Sequence, residues 1–266
     1  MFVERLPPAI KTPLRRVVLQ VRIPLNQARA LINTWIRRWF RWWTSDPTRW
    51  HTVDLARNAG INAGIYCISL LDDVRYESRR RLFQHWARKS GWPVELWPAV
   101  DGSTLQAPPD WLKEHVEGRD FSAGAIGLLL TTRKLYQHAL AQGWEFLAIF
   151  EDDGVIHGSP KLELPVEFDL VLLNNRVQGD RRGRVKIGWG TDGYIISRRG
   201  LKKMLTILDD ASADIDMLIM MHTKSLAERN QYLIPFRNKA NPQLECFQVG
   251  PLVTHAGYFP SSISGR

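Results

Sequence analysis

Three acidic residues in a row follow a short apolar run near the middle of the chain. Glu151, Asp152 and Asp153 come directly after residues 146–150 (FLAIF), a run typical of a buried strand. Ligands of open α/β sheets bind just outside the carboxyl ends of the strands, and carboxylates crowded there raise one another's pKa unless a cation shares the site. The segment therefore indicates a divalent-cation site. Composition alone favours the alternative, a solvated acidic loop, because exposed carboxylates are common.

The spacing of these acids decides which of them can act together. In an extended backbone Glu151 and Asp153 project to one side and Asp152 projects to the other. One pair can hold an ion while the remaining carboxylate contacts a sugar hydroxyl. Mg²⁺ or Mn²⁺ suits such a site, because both ions take oxygen ligands and are commonly held by one or two carboxylates together with substrate phosphates.

The chain around the acids alternates between strand and helix patterns. Strands are predicted at residues 65–70, 94–97, 146–150, 168–173 and 193–196. Helices are predicted from Asp72 or Asp73 to Arg88, from Ser122 to about Ala141, from Ser197 onward, and from Ile215 to Lys224 with Asp214 as N-cap. This order predicts an α/β fold with a mostly parallel sheet flanked by helices.

Most of the net positive charge lies near the N-terminus. Residues 1–60 hold eleven basic and three acidic side chains, so they carry +8 of the formal net charge of +9. Four prolines limit residues 1–24 to a short helix. From Leu25 to Trp43, apolar residues recur on one helical face and arginines on another, which predicts a basic amphipathic helix. We expect residues 1–62 to form this extension and a linker, and residues 63–266 to form the main domain.

The cysteines and the N-terminal helix indicate the cellular compartment in which the protein is expected. Cys67 and Cys246 are isolated, which argues against a disulfide framework or structural zinc and suits a reducing cytoplasm. Arginines interrupt every apolar run near the N-terminus, so we expect neither a signal peptide nor a membrane span. The helix over residues 25–43 is typical of a segment lying on an anionic membrane, with packing on the main domain as the alternative. We expect a cytoplasmic protein, peripheral on the inner face of the cytoplasmic membrane.

Six segments, in order and at similar spacing, resemble glycosyltransferase family 25, which contains bacterial lipopolysaccharide sugar transferases and collagen galactosyltransferases. The segments are Ile68-Ser69-Leu70 with Arg79-Arg80, Ala99 to Gly102, Gly124 to Gly127, Phe150 to Asp153, Gly190 to Gly200, and Asp214 to Asp216. The resemblance covers roughly residues 63–265 and implies a Rossmann-related GT-A fold. It also implies a nucleotide-sugar donor such as UDP-galactose, Mn²⁺ or Mg²⁺, and inversion at the anomeric carbon.

The resemblance implies a role for each acid of the central segment. Glu151 and Asp153 hold the metal ion, which stabilises the departing nucleoside diphosphate as a Lewis acid. Asp152 hydrogen-bonds the ribose or the donor sugar. His255, from the C-terminal segment, is a further candidate metal ligand, although a lone histidine is more often structural.

Other matching residues are assigned to the donor. Arg79 and Arg80 pair with the diphosphate, because guanidinium matches phosphate oxygens bidentately. A solvated helix face is the alternative for both arginines. Thr191 and Gly193 border the donor sugar. The alternative for Gly193 is that a glycine is needed there only for its backbone conformation.

An inverting displacement also needs a base that takes the proton of the acceptor hydroxyl. Asp216 is the matching acid of the last segment and the first choice, with Asp192 and Asp214 behind it. The alternative places Asp214 as a helix N-cap and Asp216 in the first turn, where acids favour the helix dipole.

The sequence thus predicts a hexosyltransferase that moves a sugar, with galactose as the first choice, to a glycan or lipid-linked acceptor in lipopolysaccharide or cell-surface polysaccharide biosynthesis. The chain departs from the family at Ala125, Leu128 and Thr132, where an acid, a cysteine and a histidine are common. A non-catalytic, membrane-associated member of the fold is therefore one alternative. A metal-dependent nuclease is another, but the main domain carries a net charge of only +1, so we expect no nucleic-acid partner.

Overall fold

Six helices and eleven strands lie in the part of the chain that the computed structural model describes, residues 8–44, 49–57, 62–107, 121–188, 190–209, 211, 213–228 and 243–255. The helices are α1 (Pro8–Thr44), α2 (Glu77–Lys89), α3 (Ala123–Ala141), α4 (Arg198–Asp209), α5 (Ile215–Met221) and α6 (Lys224–Glu228). The strands are β1 (Trp50–Asp54), β2 (Ala63–Ser69), β3 (Glu95–Pro98), β4 (Phe146–Glu151), β5 (Gly154–Ile156), β6 (Lys161–Pro165), β7 (Leu170–Asn174), β8 (Gln178–Gly179), β9 (Val185–Ile187), β10 (Gly193–Ser197) and β11 (Cys246–His255).

The central sheet has seven strands in the order β3-β2-β4-β10-β7-β11-β5. The pairs β2–β3, β2–β4 and β7–β11 are parallel, whereas β4–β10, β10–β7 and β11–β5 are antiparallel. The α/β class is thus confirmed, but the sheet is mixed and not mostly parallel. Every residue of β7 and β10 is buried, and a strand covered on both faces is a continuous apolar run whichever way it points. The sequence pattern therefore does not reveal strand direction.

Helices cover both faces of the sheet, and the alternation along β4 divides the core into two layers. Leu147 and Ile149 pack in the layer that contains residues of α3, α4 and α5. Ala148 and Phe150 pack in the layer that contains Phe83 of α2. Successive residues of a strand point to opposite faces, so the residues that follow Phe150 are delivered alternately to the two layers.

The predicted helix starts at Ser122, Ser197 and Asp214 are confirmed. The Ser122 hydroxyl accepts a hydrogen bond from the Ala125 N–H at 3.2 Å, and α3 begins at the next residue. The Asp214 carboxylate accepts one from the Met217 N–H at 2.9 Å at the start of α5. Side-chain acceptors at these positions satisfy N–H groups that have no partner within the helix.

The prediction of only a short helix before residue 24 is wrong, because α1 runs without interruption past Pro13 and Pro24. An interior proline costs about 3 kcal/mol in a helix. Contacts on both sides of Pro24 offset this cost. Leu19 and Ile23 pack in a cluster with Val155, and the Asn26 side-chain amide donates to Thr254 Oγ1 at 2.7 Å.

The segment predicted as a linker contains β1. This strand pairs with β6 in a separate antiparallel ribbon, where Val53 lies opposite Leu162. Both side chains are buried in the layer on the α2 side of the sheet, which ties residues 50–54 to the main domain. The strand carries polar residues at His51, Thr52 and Asp54, so its sequence pattern is weak.

None of the helices within the described residues combines the length and the apolar content that a membrane crossing needs.

The buried imidazole of His157, which follows β5, makes the stability of the fold depend on pH. Its Nε2 atom lies 2.9 Å from Thr254 Oγ1, and its Nδ1 atom is buried without a hydrogen-bond partner among the described residues. Desolvation lowers its pKa from 6.5 to about 4. Between these two values the unfolded chain binds a proton that the folded protein does not, so the free energy of unfolding decreases by about 1.4 kcal/mol for each unit by which the pH is lowered.

We therefore expect urea unfolding to show about 2 kcal/mol less pH dependence between pH 7 and pH 5 in His157→Gln than in the wild type. His51→Gln is the matched control, because His51 is exposed. Identical pH slopes for the wild type and His157→Gln would contradict this account of the buried imidazole.

Candidate metal centre and cleft

The three acids at the end of β4 lie in different surroundings. Glu151 continues the face of Leu147 and Ile149, and its Oε1 atom lies 2.6 Å from the Thr191 hydroxyl. Asp152 continues the opposite face and accepts hydrogen bonds from groups on the α2 side of the sheet. Strand alternation thus separates Glu151 from Asp152, as the spacing of the sequence predicts.

Asp153, Asp192 and His255 form a group that could hold a metal ion. One ligand atom from each residue lies within 4.8 Å of the others, and both aspartates are buried. His255 Nδ1 is 3.1 Å from Asp192 Oδ1 and 3.8 Å from Asp153 Oδ2. The second oxygen of Asp153, Oδ1, is buried and has no hydrogen-bond partner among the described residues. An unpartnered buried carboxylate oxygen is costly, so this set of donors fits a bound cation.

The donor types narrow the choice of ion. Carboxylate oxygens suit Mg²⁺ and Mn²⁺, whereas imidazole nitrogen suits transition metals. Mn²⁺ satisfies both preferences. The structure groups Asp192 with Asp153 and His255, whereas Glu151 lies with Thr191 and Asp216. The predicted pairing of Glu151 with Asp153 as metal ligands therefore stays a prediction that this grouping does not favour.

Glu151 and Asp216 share the hydroxyl of Thr191. Its Oγ1 atom lies 2.6 Å from Glu151 Oε1 and 2.5 Å from Asp216 Oδ1. A hydroxyl has one proton to donate, so the second hydrogen bond needs a proton on one of the carboxyls. Burial and the carboxylates of Asp153, Asp216 and Asp192 raise the pKa of Glu151 well above its usual range. Burial also raises the pKa of Asp216, to about 6, against the opposing hydrogen bond from Thr191.

Two arginines offset part of the negative charge. Arg79 Nη2, from α2, lies 2.6 Å from Asp152 Oδ1 and 3.3 Å from Asp153 Oδ2. Arg176, which follows β7, binds both oxygens of Asp192 at 2.9 and 2.5 Å. Burial raises the pKa of Asp152, and the opposing effects of Arg79 and a hydrogen bond from Ser69 limit the rise.

A cleft of about 250 Å³ opens beside the acids. Its walls come from the end of β2, the turn before α2, residues 99–103 and the first turn of α3. Glu151 and Asp152 also line it. The first turn of α3 brings the positive end of the helix dipole to the cleft, which favours an anionic ligand there. The cationic side chain of Arg75 also lines it.

Three of the residues predicted to bind a donor, Arg80, Thr191 and Gly193, lie outside the cleft lining. Arg80 donates to the carbonyl oxygens of Leu70 and Asp73 at 2.5 and 3.3 Å, so it braces the loop between β2 and α2. Gly193 is buried in β10, and a Cβ atom there would lie 2.8 Å from Val253 and 3.0 Å from Phe150. This glycine therefore serves close packing between strands.

The departures from the family pattern fall mostly in the interior. Ala125 and Thr132 are buried within α3, and Leu128 alone of the three lines the cleft. Sequence reasoning gave Ser69 no role of its own and missed Arg176. Ser69 and Arg176 lie at or just after the carboxyl ends of β2 and β7, which is the position where polar residues of α/β sheets meet ligands.

No protein-family model matches the chain, and no curated protein is significantly similar to it. Among solved structures, the chain is similar to the crystal structure of a glycosyltransferase involved in the glycosylation of the major capsid of PBCV-1. That match has a TM-score of 0.37 and 9% sequence identity, and it covers 75% of this chain and 95% of the other. A likeness this distant carries no assignment, so membership of family 25 stays a prediction.

The salt bridges of Arg79 allow a direct test of the acid cluster. Arg79→Met leaves the buried carboxylates of Asp152 and Asp153 without this cation, and removing one partner of a buried pair costs about 3–5 kcal/mol. We expect such a loss in urea unfolding at pH 7 without added metal. The control is Arg81→Met, since Arg81 pairs with Glu77 on the exposed surface and such a pair contributes about 0.5 kcal/mol or less. Equal losses in the two variants would show that Arg79 does not offset the cluster.

Proposed function

We propose that the protein is a metal-dependent glycosyltransferase that moves a sugar from a nucleotide-sugar donor to an acceptor hydroxyl. One observation carries the proposal: the cleft and the Asp153–Asp192–His255 group are adjacent. Asp152 lines the cleft, Asp153 is the next residue, and Arg79 contacts both carboxylates. A nucleoside diphosphate needs such a neighbourhood, because its phosphates bind a divalent cation and a helix N-terminus. The sequence resemblance to family 25 supports the same reaction.

The protein groups that would hold the ion are oriented before it binds. Arg176 fixes both oxygens of Asp192, and Asp153 presents a buried, unpartnered oxygen. His255 completes the group from the end of β11. When bound, a divalent ion there supplies Lewis-acid stabilisation of the charge that develops on the departing diphosphate.

The cleft suits the nucleotide portion of the donor. Ser69 and Arg79 fix the Asp152 carboxylate at its edge, where it is placed to accept a hydrogen bond from a ribose or sugar hydroxyl. The first turn of α3 and Arg75 provide positive potential for the diphosphate. A UDP-sugar, with galactose as the first choice, is the proposed donor.

Asp216 is the proposed base that takes the proton of the acceptor hydroxyl. A carboxyl with a pKa of about 6 is a stronger base than an ordinary aspartate and is still largely ionised at pH 7. Asp192 is the less suitable candidate, because Arg176 occupies both of its oxygens. Thr191 links Asp216 to Glu151, so the two carboxyls and the hydroxyl form one hydrogen-bonded chain that fixes the orientation of Asp216. The acceptor in this proposal is a glycan or a lipid-linked sugar of lipopolysaccharide or cell-surface polysaccharide biosynthesis at the cytoplasmic membrane.

The metal assignment predicts the behaviour of Asp153→Asn. We expect calorimetric titration with UDP-galactose to show tighter binding to the wild type in the presence of Mn²⁺ and no effect of Mn²⁺ on the variant, because an amide brings no charge to the ion. Glu167→Gln is the control, since the Glu167 side chain is 84% exposed. GDP- and CMP-sugars tested alongside identify the nucleotide. The assignment fails if Asp153→Asn keeps the Mn²⁺-dependent affinity.

The base assignment separates binding from chemistry. Asp216→Asn should bind the donor as the wild type does and lose transfer by about 10²–10⁴-fold, the usual contribution of a positioned base. Asp214→Asn is the matched control two residues away, because asparagine keeps the helix N-cap. An equal loss of donor binding in Asp216→Asn would place this residue in the donor site or the fold instead.

A further inference from the structure

Helix α1 docks on the main domain through its polar side. Between Asn26 and Arg38, four side chains donate hydrogen bonds to the domain and a fifth, Arg37, contacts an aromatic ring. Asn26 donates to Thr254 Oγ1 at 2.7 Å and Asn33 to the Gly250 carbonyl at 3.0 Å. Arg37 is buried, and its guanidinium lies 5.8 Å from the ring centre of Trp50. Among the described residues of α1, the buried apolar side chains are Leu19 and Ile23, which pack together in one small cluster.

The opposite side of α1 is apolar and faces outward. Among the side chains of the helix that the structure describes, nine large apolar ones are exposed, from 47% for Trp39 to 76% for Trp42. They are Val17, Val21, Leu25, Leu31, Ile32, Trp35, Trp39, Trp42 and Trp43. At 3.6 residues per turn these positions fall within a stripe about 120° wide and about 40 Å long. We call this stripe the outer face of α1.

The orientation is the reverse of that of an ordinary surface helix, which packs its apolar side against the core. A contiguous exposed apolar surface of this size marks an interaction site. The outer face runs for more than seven turns, so its partner must be equally extended. Indole rings dominate its C-terminal half, and tryptophan prefers the headgroup level of a lipid bilayer.

The charge on α1 points to the same partner. The helix contains eight basic residues and no acidic ones. Arg22 and Arg29 lie along one edge of the outer face and Arg38 along the other. Basic residues that flank an apolar stripe are attracted to anionic headgroups while the stripe enters the acyl boundary. A second copy of the chain would instead bring two arginine-edged faces together.

We propose that α1 is an interfacial anchor that lies in the plane of an anionic membrane, with its outer face in the lipid and its polar face on the domain. The anchor extends from Val17 to Trp43 and so includes two turns before the helix that the sequence predicts. It also contacts the strand that carries one residue of the candidate metal centre, because Asn26 donates a hydrogen bond to Thr254, the residue before His255. Only this last point rests on the proposed function: the anchor then holds the site next to the lipid, where a lipid-linked acceptor is found.

The test measures co-sedimentation of the full-length protein with vesicles of phosphatidylcholine and phosphatidylglycerol. We expect binding that high salt weakens. Trp35→Ser/Trp39→Ser/Trp42→Ser should abolish it, and Arg22→Gln/Arg29→Gln should weaken it about 30-fold, since each basic residue near an anionic leaflet contributes about fivefold. The control is Val74→Ser/Val166→Ser/Ile187→Ser, which removes three exposed apolar side chains elsewhere.

Circular dichroism and analytical ultracentrifugation complete the experiment. The tryptophan variant should keep the wild-type melting temperature, because the replaced rings are exposed. The proposal is overturned if the wild-type protein ignores the vesicles, if the control variant loses binding as the tryptophan variant does, or if the wild type forms a dimer without lipid that the tryptophan substitutions dissociate. Since vesicle binding requires no donor or metal, it is measured independently of sugar transfer.

Discussion

Repulsion among buried carboxylates is the constraint that organises this protein. Glu151, Asp152, Asp153, Asp192 and Asp216 meet at one end of the central sheet, although they come from three separate segments. Desolvation and mutual repulsion raise the pKa of Glu151 and Asp216, and uncompensated charge of this kind is incompatible with a stable interior. Helix α2, the loop after β7 and the end of β11 each place a side chain that compensates part of this charge.

Each of these elements contributes a different compensation. Helix α2 brings Arg79 between Asp152 and Asp153, and the loop after β7 brings Arg176 to Asp192. Strand β11 brings His255, whose pKa is raised by its hydrogen bond to Asp192. The arginines do not balance all five acids, which leaves a deficit of positive charge that a divalent cation fits. The same deficit explains why one chain can bind a diphosphate beside so many acids, since the ion joins the two sets of anionic groups.

The sequence predicts local structure well where a residue acts on its own neighbours. Ser122 and Asp214 start helices as predicted, and the apolar runs become buried strands. Strand β11 was missed, because Gly250 and Pro251 within it are typical of a turn. In the candidate site, too, local features were predicted and long-range groupings were not. The acids after β4 were predicted from their position, whereas the grouping of Asp192 with Asp153 and His255 depends on how β10 and β11 lie in the sheet. In α1 the sequence shows both faces but not which one packs, since long-range polar contacts decide that.

The central claim, a cation among Asp153, Asp192 and His255, is tested most directly by electron spin-echo envelope modulation of the protein loaded with one equivalent of Mn²⁺ and UDP. The account predicts modulation from one histidine nitrogen, present in the wild type and in His157→Gln and absent in His255→Gln. Absence of nitrogen modulation in the wild type, or its persistence in His255→Gln, would contradict the account.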